Sequence, residues 1–335
     1  MSSRDIDIAA FLADHGWEDA ERRTLADDAS FRRYDRVTDS TRTAVLMDAP
    51  PAKEDVHPFL NVAAALHELG LSAPKILAER PEDGLLLLED FGDNTYTRVL
   101  NESPEREEAL YMLAVDLLIA LHKRFASRQT LPRYDDSLLT TEANLLIDWY
   151  LPAITGAPIT DTLRKEYEAL WQALFALIRD IPETLVLRDY HVDNLVWLPG
   201  RTGIEACGLL DFQDAVIGPT AYDLVSLLED ARRDVPAALA QQAIARYLAA
   251  FPDIDPEAFQ LSYAILGAQR SAKILGIFTR LDRRDSKPDY LRHMPRLWRW
   301  LEGDLQHPAL AALSAWFDTV LPPETRIIPN SMTES

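Results

Sequence analysis

The chain has 335 residues, 47% of them apolar, with 34 basic against 54 acidic side chains and a formal net charge of −20. That size buries a sizeable core and favours two lobes over one, while the acidity argues against nucleic acid or an anionic membrane as partner, since both demand basic surface. No apolar run reaches the length of a membrane span or a secretory leader, and a single cysteine, Cys207, excludes a disulfide within the chain, so a cytoplasmic protein is expected.

From the N-terminus, Asp5 to Asp14 carries helical spacing at Ile6, Ala9, Ala10 and Ala13 and stops at Gly16. Strand-like runs follow over Thr24 to Val37 and Thr43 to Met47. Asp55 to Leu69 predicts an amphipathic helix with Phe59, Leu60, Ala63, Leu66 and Leu69 on one stripe and Gly70 as its stop. Ile76 to Ala78 and Leu85 to Glu89 read as two more strands around Pro81-Glu82-Asp83-Gly84. The order strand, strand, helix, strand, strand describes a small sheet with one helix. Beyond Gly92 the pattern turns helical. Ser103-Pro104 starts a helix to about Phe125, with others at Thr141 to Tyr150, Asp161 to Arg179, Ala221 to Asp230, Pro236 to Phe251, Pro256 to about Arg280 and Pro288 to Leu301. The expected division is therefore an N-lobe over 1–92, a helical C-lobe over 93–325, and a loosely attached tail over 326–335.

Within the helical half lies Leu187-Arg188-Asp189-Tyr190-His191-Val192-Asp193-Asn194, followed by Asp211-Phe212-Gln213. Leu195 to Leu198 reads as a short strand, Pro199 to Gly203 as its turn and Ile204 to Leu210 as the return strand, the only clear β structure of this half. Antiparallel pairing about that turn is expected to bring Asn194 and Asp211 side by side. Two hard oxygen ligands there suit Mg²⁺, which takes few protein oxygens plus substrate phosphates. Asp189, upstream on the loop, is then placed to orient and deprotonate a hydroxyl, the arrangement of a kinase-type phosphotransferase. Leu187 stands where protein kinases carry histidine, and Gln213 where they carry glycine.

Nucleotide would enter at Leu87-Leu88-Glu89-Asp90-Phe91, whose backbone is placed to meet an adenine edge while leucines wall the pocket. No glycine-rich phosphate loop or Walker sequence occurs. The small-residue turn Asp28-Ala29-Ser30, leading into Phe31-Arg32-Arg33-Tyr34, is the substitute. Met47 stands where a third-strand lysine is expected, so Arg32 or Arg33 supplies the missing charge, with Lys53 as the other donor. Alternation along a strand lets only one of the two arginines face the cleft. Candidates for the acceptor side are Glu229, Asp230 and Arg232 after the catalytic strand, Trp149-Tyr150, His191 in the catalytic loop, and a polar stripe of Gln269, Lys273 and Arg280 on one long helix with Arg270 beside it.

These motifs resemble the aminoglycoside phosphotransferase superfamily, and more closely the bacterial anomeric sugar kinases that phosphorylate N-acetylmuramate and N-acetylglucosamine at C1 in peptidoglycan recycling. The superfamily likeness rests on Leu187 to Asn194 and Gly208 to Asp214. The closer one rests on Ala29 to Tyr34, Met47 to Pro51, Gly218 to Leu224, Glu229 to Val235 and Gly267 to Arg280. The resemblance implies an α+β, protein-kinase-like two-lobed fold, with ATP and Mg²⁺ as cofactors. It implies Asp189 as catalytic base, Asn194 and Asp211 as metal ligands, and Asp223 as the structural aspartate that braces the catalytic loop. Arg32, Arg33, Leu88, Glu89 and Phe91 are the expected nucleotide contacts, and His191, Glu229, Arg232, Gln269 and Lys273 the expected substrate contacts. The partners expected are an amino sugar and ATP, with no protein partner implied. Two alternatives remain on the same scaffold: a kinase of an aminoglycoside or other alcohol, and a pseudokinase serving as a binding module. A muramate lactyl carboxylate suits the basic stripe, whereas the net acidity suits polycationic aminoglycosides.

Overall fold

The computed structural model describes residues 3–27, 31–126 and 131–330. The expected turn at Asp28-Ala29-Ser30 lies outside them. Helix α1 (Ser3–Asp14) precedes strands β1 (Glu21–Asp27), β2 (Arg33–Thr38) and β3 (Thr43–Asp48), helix α2 (His57–Glu68), and strands β4 (Ile76–Arg80) and β5 (Leu85–Glu89). Next come α3 (Tyr96–Glu102), α4 (Glu107–Arg124), α5 (Asp136–Leu145), α6 (Leu151–Thr155) and α7 (Asp161–Ala176). The region around the Asp189 motif holds β6 (Glu183–Val186), β7 (Leu195–Trp197), β8 (Cys207–Leu209) and β9 (Val216–Pro219). It is followed by α8 (Tyr222–Leu228), α9 (Ala237–Ala250), α10 (Pro256–Asp285), α11 (Met294–Asp304) and α12 (Ala311–Val320).

Two compact units emerge: Met1–Leu117 with Val192–Asp214, and Leu118–His191 with Ala215–Ser335. The first is built on an antiparallel sheet of order β1-β2-β3-β5-β4. Alternating residues Val37, Ala44, Leu46, Leu85 and Leu87 join Ile8, Phe11 and Leu12 of α1 in its core, so the N-terminal helix caps one face. Gly84 has φ 64° and its carbonyl accepts from the Ala49 amide at 2.9 Å. A Cβ there would lie 1.9 Å from the Ala49 oxygen, so only glycine closes the β4–β5 turn.

The expected sequence boundary at 92–93 falls inside this unit, and the hairpin of β7 and β8 belongs to it. Backbone hydrogen bonds explain the placement: Leu209 N–H donates to Ser72 at 2.8 Å, Trp197 N–H to Asn94 at 2.8 Å, and Thr97 N–H to Val192 at 3.2 Å.

The second unit is mainly helical, with α10 packed against α5, α8 and α11. Its buried positions run almost without interruption from Ala264 to Gly276, so this helix is central rather than amphipathic. Three sequence expectations change and one element is added. The hairpin is not the only β structure of the C-terminal half, because β6 pairs with β9. Helix α3, capped by Thr95, is not among the expected elements, while the helix expected from Ser103-Pro104 is present: Ser103, at φ −142°, stands ahead of a 3₁₀ turn over Pro104–Arg106 that runs directly into α4. The helix expected from Thr141 begins at Asp136, with Asp135 accepting from the Leu138 amide. The segment after Pro322 is anchored rather than loose. Arg326 pairs with Glu302 at 2.8 Å and Asp318 at 2.6 Å, and the Tyr150 hydroxyl donates to the Ile327 carbonyl at 2.7 Å. That bond makes Tyr150 a core residue. No helix among the described residues is long and apolar enough to cross a membrane.

Candidate active site

Of the motif residues, Asp189 lies in the helical unit and Asn194 and Asp211 in the sheet unit. In the hairpin Leu195 faces Leu209, and the Leu210 amide donates to the Asn194 carbonyl at 2.9 Å. Continued alternation would send the Asn194 and Asp211 side chains to opposite faces. Asp211 instead takes φ 54°, a left-handed conformation that aspartate tolerates better than most side chains. Its carboxylate thereby meets the Asn194 carboxamide, Nδ2 to Oδ2, at 3.4 Å. Phe212 stacks on Phe59 of α2 at 4.8 Å between ring centroids, and Gln213 Nε2 donates to the other carboxylate oxygen, Oδ1, at 2.7 Å. Among the described residues no group of three or more His, Cys, Asp or Glu forms a closed cage. One carboxylate beside one carboxamide oxygen is the donor set of a hard divalent cation completed by substrate phosphates. The residues present fit magnesium.

Arg32 and Arg33 diverge. Arg33 is exposed, its Nε 3.4 Å from Asp35 on the same strand face. Arg32 is largely covered. Burial works against its charge, yet Tyr34, Asp211, Glu54 and Asp214 together hold the guanidinium above its ordinary value. Its Nε lies 3.9 Å from Glu54. Met47 is fully buried between Tyr34 and Leu86, and Lys53 is exposed over the Phe31 ring at 4.2 Å. On the β5 side, Leu88 is buried beside Val45. The Glu89 amide donates to the Lys75 carbonyl at 2.8 Å and its carboxylate accepts from Arg201 at 2.5 Å. That amide is therefore committed to the β4 side and does not offer itself to an adenine edge. Phe91 packs on Gly208, where a Cβ would approach the ring to 2.9 Å.

In the helical unit the loop before Asp189 is held by Asp223. Its carboxylate accepts from the Leu187 amide at 2.7 Å and the Arg188 amide at 2.9 Å, supporting Arg188 at φ 69°. Burial pushes Asp223 up to about 7, against those two donors. Beneath the loop Glu142 of α5 collects four donors: Arg188, the Tyr134 hydroxyl, Lys273 Nζ at 2.8 Å and Gln269 Nε2 at 3.4 Å. Burial opposes its ionisation, but Lys273 and Arg188 outweigh burial and hold the carboxyl below its ordinary range. Gln269 and Lys273, expected as substrate contacts, therefore face this buried carboxylate. Glu142, Arg188 and Tyr134 escaped the sequence reading, because a lone acid on a helix reads as surface.

His191 is buried. Desolvation, then Arg232 and Arg270, hold its imidazole well below its ordinary pKa, so it is neutral. Glu229, at the end of α8, is pushed up to about 7 by burial, and Asp304 is held well above its ordinary value by burial and by the neighbouring Glu229 charge. Arg270 donates to the Glu229 carbonyl at 3.4 Å. Arg232, half-buried, donates its amide to Asp230 at 2.8 Å.

A sequence profile of the phosphotransferase enzyme family matches residues 21–260. A Caulobacter vibrioides protein named N-acetylmuramate/N-acetylglucosamine kinase is 39% identical over 97% of this chain and 99% of its own. A Pseudomonas aeruginosa protein of the same name is 38% identical over 90% of each chain. Among solved structures, choline kinase LicA from Streptococcus pneumoniae superposes with a TM-score of 0.64 at 13% identity, covering 91% of this chain and 100% of that one. LicA in complex with AMP gives 0.61 at 12% identity and the same coverage. This likeness shows a protein-kinase-like fold, with a small antiparallel sheet followed by a mainly helical region.

Proposed function

The chain belongs to the phosphotransferase enzyme family, and from that membership we propose that it transfers the γ-phosphoryl group of ATP to the anomeric hydroxyl of N-acetylmuramate, N-acetylglucosamine or both. The observation that carries this reading is the match over 97% of the chain to the Caulobacter vibrioides kinase of those two sugars. LicA, which shares the fold, has been seen with AMP, in keeping with a nucleotide site here. Cell-wall recycling and a cytoplasmic location follow from the substrate pair.

In this reading Asp189 accepts the proton of the sugar hydroxyl and orients its oxygen toward phosphorus. It need not be a strong base, since phosphoryl transfer depends chiefly on positioning and charge neutralisation. Asn194 and Asp211 hold Mg²⁺, which supplies that neutralisation at the phosphates. Arg32 replaces the third-strand lysine at the nucleotide, with Leu88 and Phe91 as apolar walls. Glu89 shapes the segment through its bond to Arg201. On the acceptor side Arg232, the least buried candidate, meets the sugar. His191, Glu229, Gln269 and Lys273 set the shape and charge behind it. Asp223 keeps the loop in register.

A side-by-side assay of ADP release with N-acetylmuramate, N-acetylglucosamine and kanamycin tests the reading, with the product identified by phosphorus NMR as a sugar 1-phosphate. Turnover of kanamycin alone, or phosphate at another hydroxyl, would overturn it.

A further inference from the structure

Gln213 follows Asp211-Phe212 at the place where protein kinases carry glycine, and its side chain is 8% exposed. Its Nε2 donates to Asp211 Oδ1 at 2.7 Å and reaches Asp214 Oδ2 at 3.4 Å. Its Oε1 is buried without a hydrogen-bond partner. Leaving a buried acceptor unmade costs about 1–3 kcal/mol, so the amide is held in this orientation by what its other end does. That end grips Asp211. The backbone of Asp211 is fixed by its left-handed φ of 54° and by the Phe212–Phe59 stack, which leaves rotation of the carboxylate as its remaining freedom. With Asn194 on Oδ2 and Gln213 on Oδ1, that rotation is stopped.

We propose that Gln213 is the positioning residue of the cation site: by donating to Asp211 Oδ1 it stops rotation of the carboxylate and keeps Oδ2 turned to the Asn194 side. The inference rests on the assignment of Asn194 and Asp211 as metal ligands. A neutral amide suits this role better than an acid, because it lies against the carboxylates of both Asp211 and Asp214. Hydrogen-bond partners of metal ligands act in this way generally, and their loss typically weakens metal binding by about 10–100-fold.

The test uses the full chain with Gln213→Met, which keeps side-chain length and removes the donor. Gln213→Asn, whose shorter amide keeps the loop polar, provides a second variant should the first fold poorly. Mn²⁺ binding to protein saturated with β,γ-imido-ATP is read by electron paramagnetic resonance. Both variants are expected to raise the Mn²⁺ dissociation constant by about 10–100-fold. Nucleotide affinity in EDTA should be unchanged, and kcat should recover at high Mg²⁺. Mn²⁺ affinity within about twofold of wild type in a folded variant would overturn the proposal. So would equal loss of nucleotide affinity in EDTA, since the residue would then act through folding. Asp211→Asn separates the two layers. If it binds Mn²⁺ like wild type, the ligand assignment itself is wrong; if it loses Mn²⁺ while the Gln213 variants do not, only the positioning role is wrong.

Discussion

Replacing Glu142 by glutamine strikes the most heavily used buried carboxylate of the helical unit. It keeps the shape of the side chain and removes the charge that Arg188 and Lys273 share. Glu142 is 6% exposed, and deleting one member of a buried ion pair typically costs about 3–5 kcal/mol, because the surviving charge stays desolvated. A glutamine oxygen still accepts from Tyr134 or Lys273, so the lower part of that range is expected. The pH dependence has a definite sign. Glu142 is held below its ordinary range in the folded protein, so its contribution is present above the unfolded carboxylate pKa and is lost as pH falls through the folded value. The gap between wild type and Glu142→Gln should therefore be widest near neutrality and shrink along the acid limb. Urea unfolding followed by tryptophan fluorescence at several pH values measures it. Adding Lys273→Met should restore part of the loss, since the stranded ammonium is removed with its partner. A Glu142→Gln protein within about 1 kcal/mol of wild type at neutral pH, or a gap that does not narrow on acidification, would refute the reasoning.

Three further outcomes are expected. Asp189→Asn should lower kcat by about 10²–10⁴ with little change in ATP affinity; near-wild-type turnover would show that another group takes the proton. Arg32→Ala should weaken ATP binding by about 10–100-fold, the worth of a charge-assisted contact, while Arg33→Ala, which removes an exposed guanidinium paired with Asp35 of its own strand, should leave it unchanged in the same titration. For the Glu229–Asp304 pair, both carboxyls are raised by burial. Their share of stability is present below the ordinary carboxylate pKa and is lost as pH rises through the raised values, by about 1.4 kcal/mol per pH unit per proton. Asp304→Asn should flatten that decline in a pH series of unfolding curves, and superposable curves would refute it.

The N-terminal sheet was legible because its strands alternate and its turns carry their own marks. Gly84 is placed by the carbonyl it must approach, and the α2 stripe ends at Gly70 with φ 69°. The strands β6 and β9 were not legible. Leu185-Val186 and Val216-Ile217 are buried on both faces, and runs that short show no period. The proximity of Asn194 and Asp211 was readable from the turn between them, but its cause was not. Register alone separates the two side chains, and the left-handed residue that reunites them leaves no mark beyond being an aspartate. The hydrophobic run of α12 ahead of Pro322 passed unread, and with it the anchoring of Arg326. Charge was misread in one consistent direction. Gln269 and Lys273 read as a basic stripe open to a substrate, because spacing shows which residues share a helix face but not whether that face is open or meets another helix.

That misreading bears on how the acceptor is recognised. Arg188 and Lys273 carry two positive charges, and both guanidinium and ammonium are held above their ordinary values with Glu142 and Asp189 among the negative charges responsible. Two cations and two acids sum to zero, so Lys273 is no surplus cation to attract a substrate carboxylate. It is committed to Glu142 and to the field around Asp189. The acidity of the whole chain is screened at a distance and does not set specificity. Under the proposed function, recognition of a lactyl carboxylate then falls to a cation nearer the surface than Lys273, and half-buried Arg232 is the candidate. Under the proposed function Lys273 thus serves the loop that carries Asp189, and a preference for the lactyl sugar is expected to follow Arg232 variants rather than Lys273 variants.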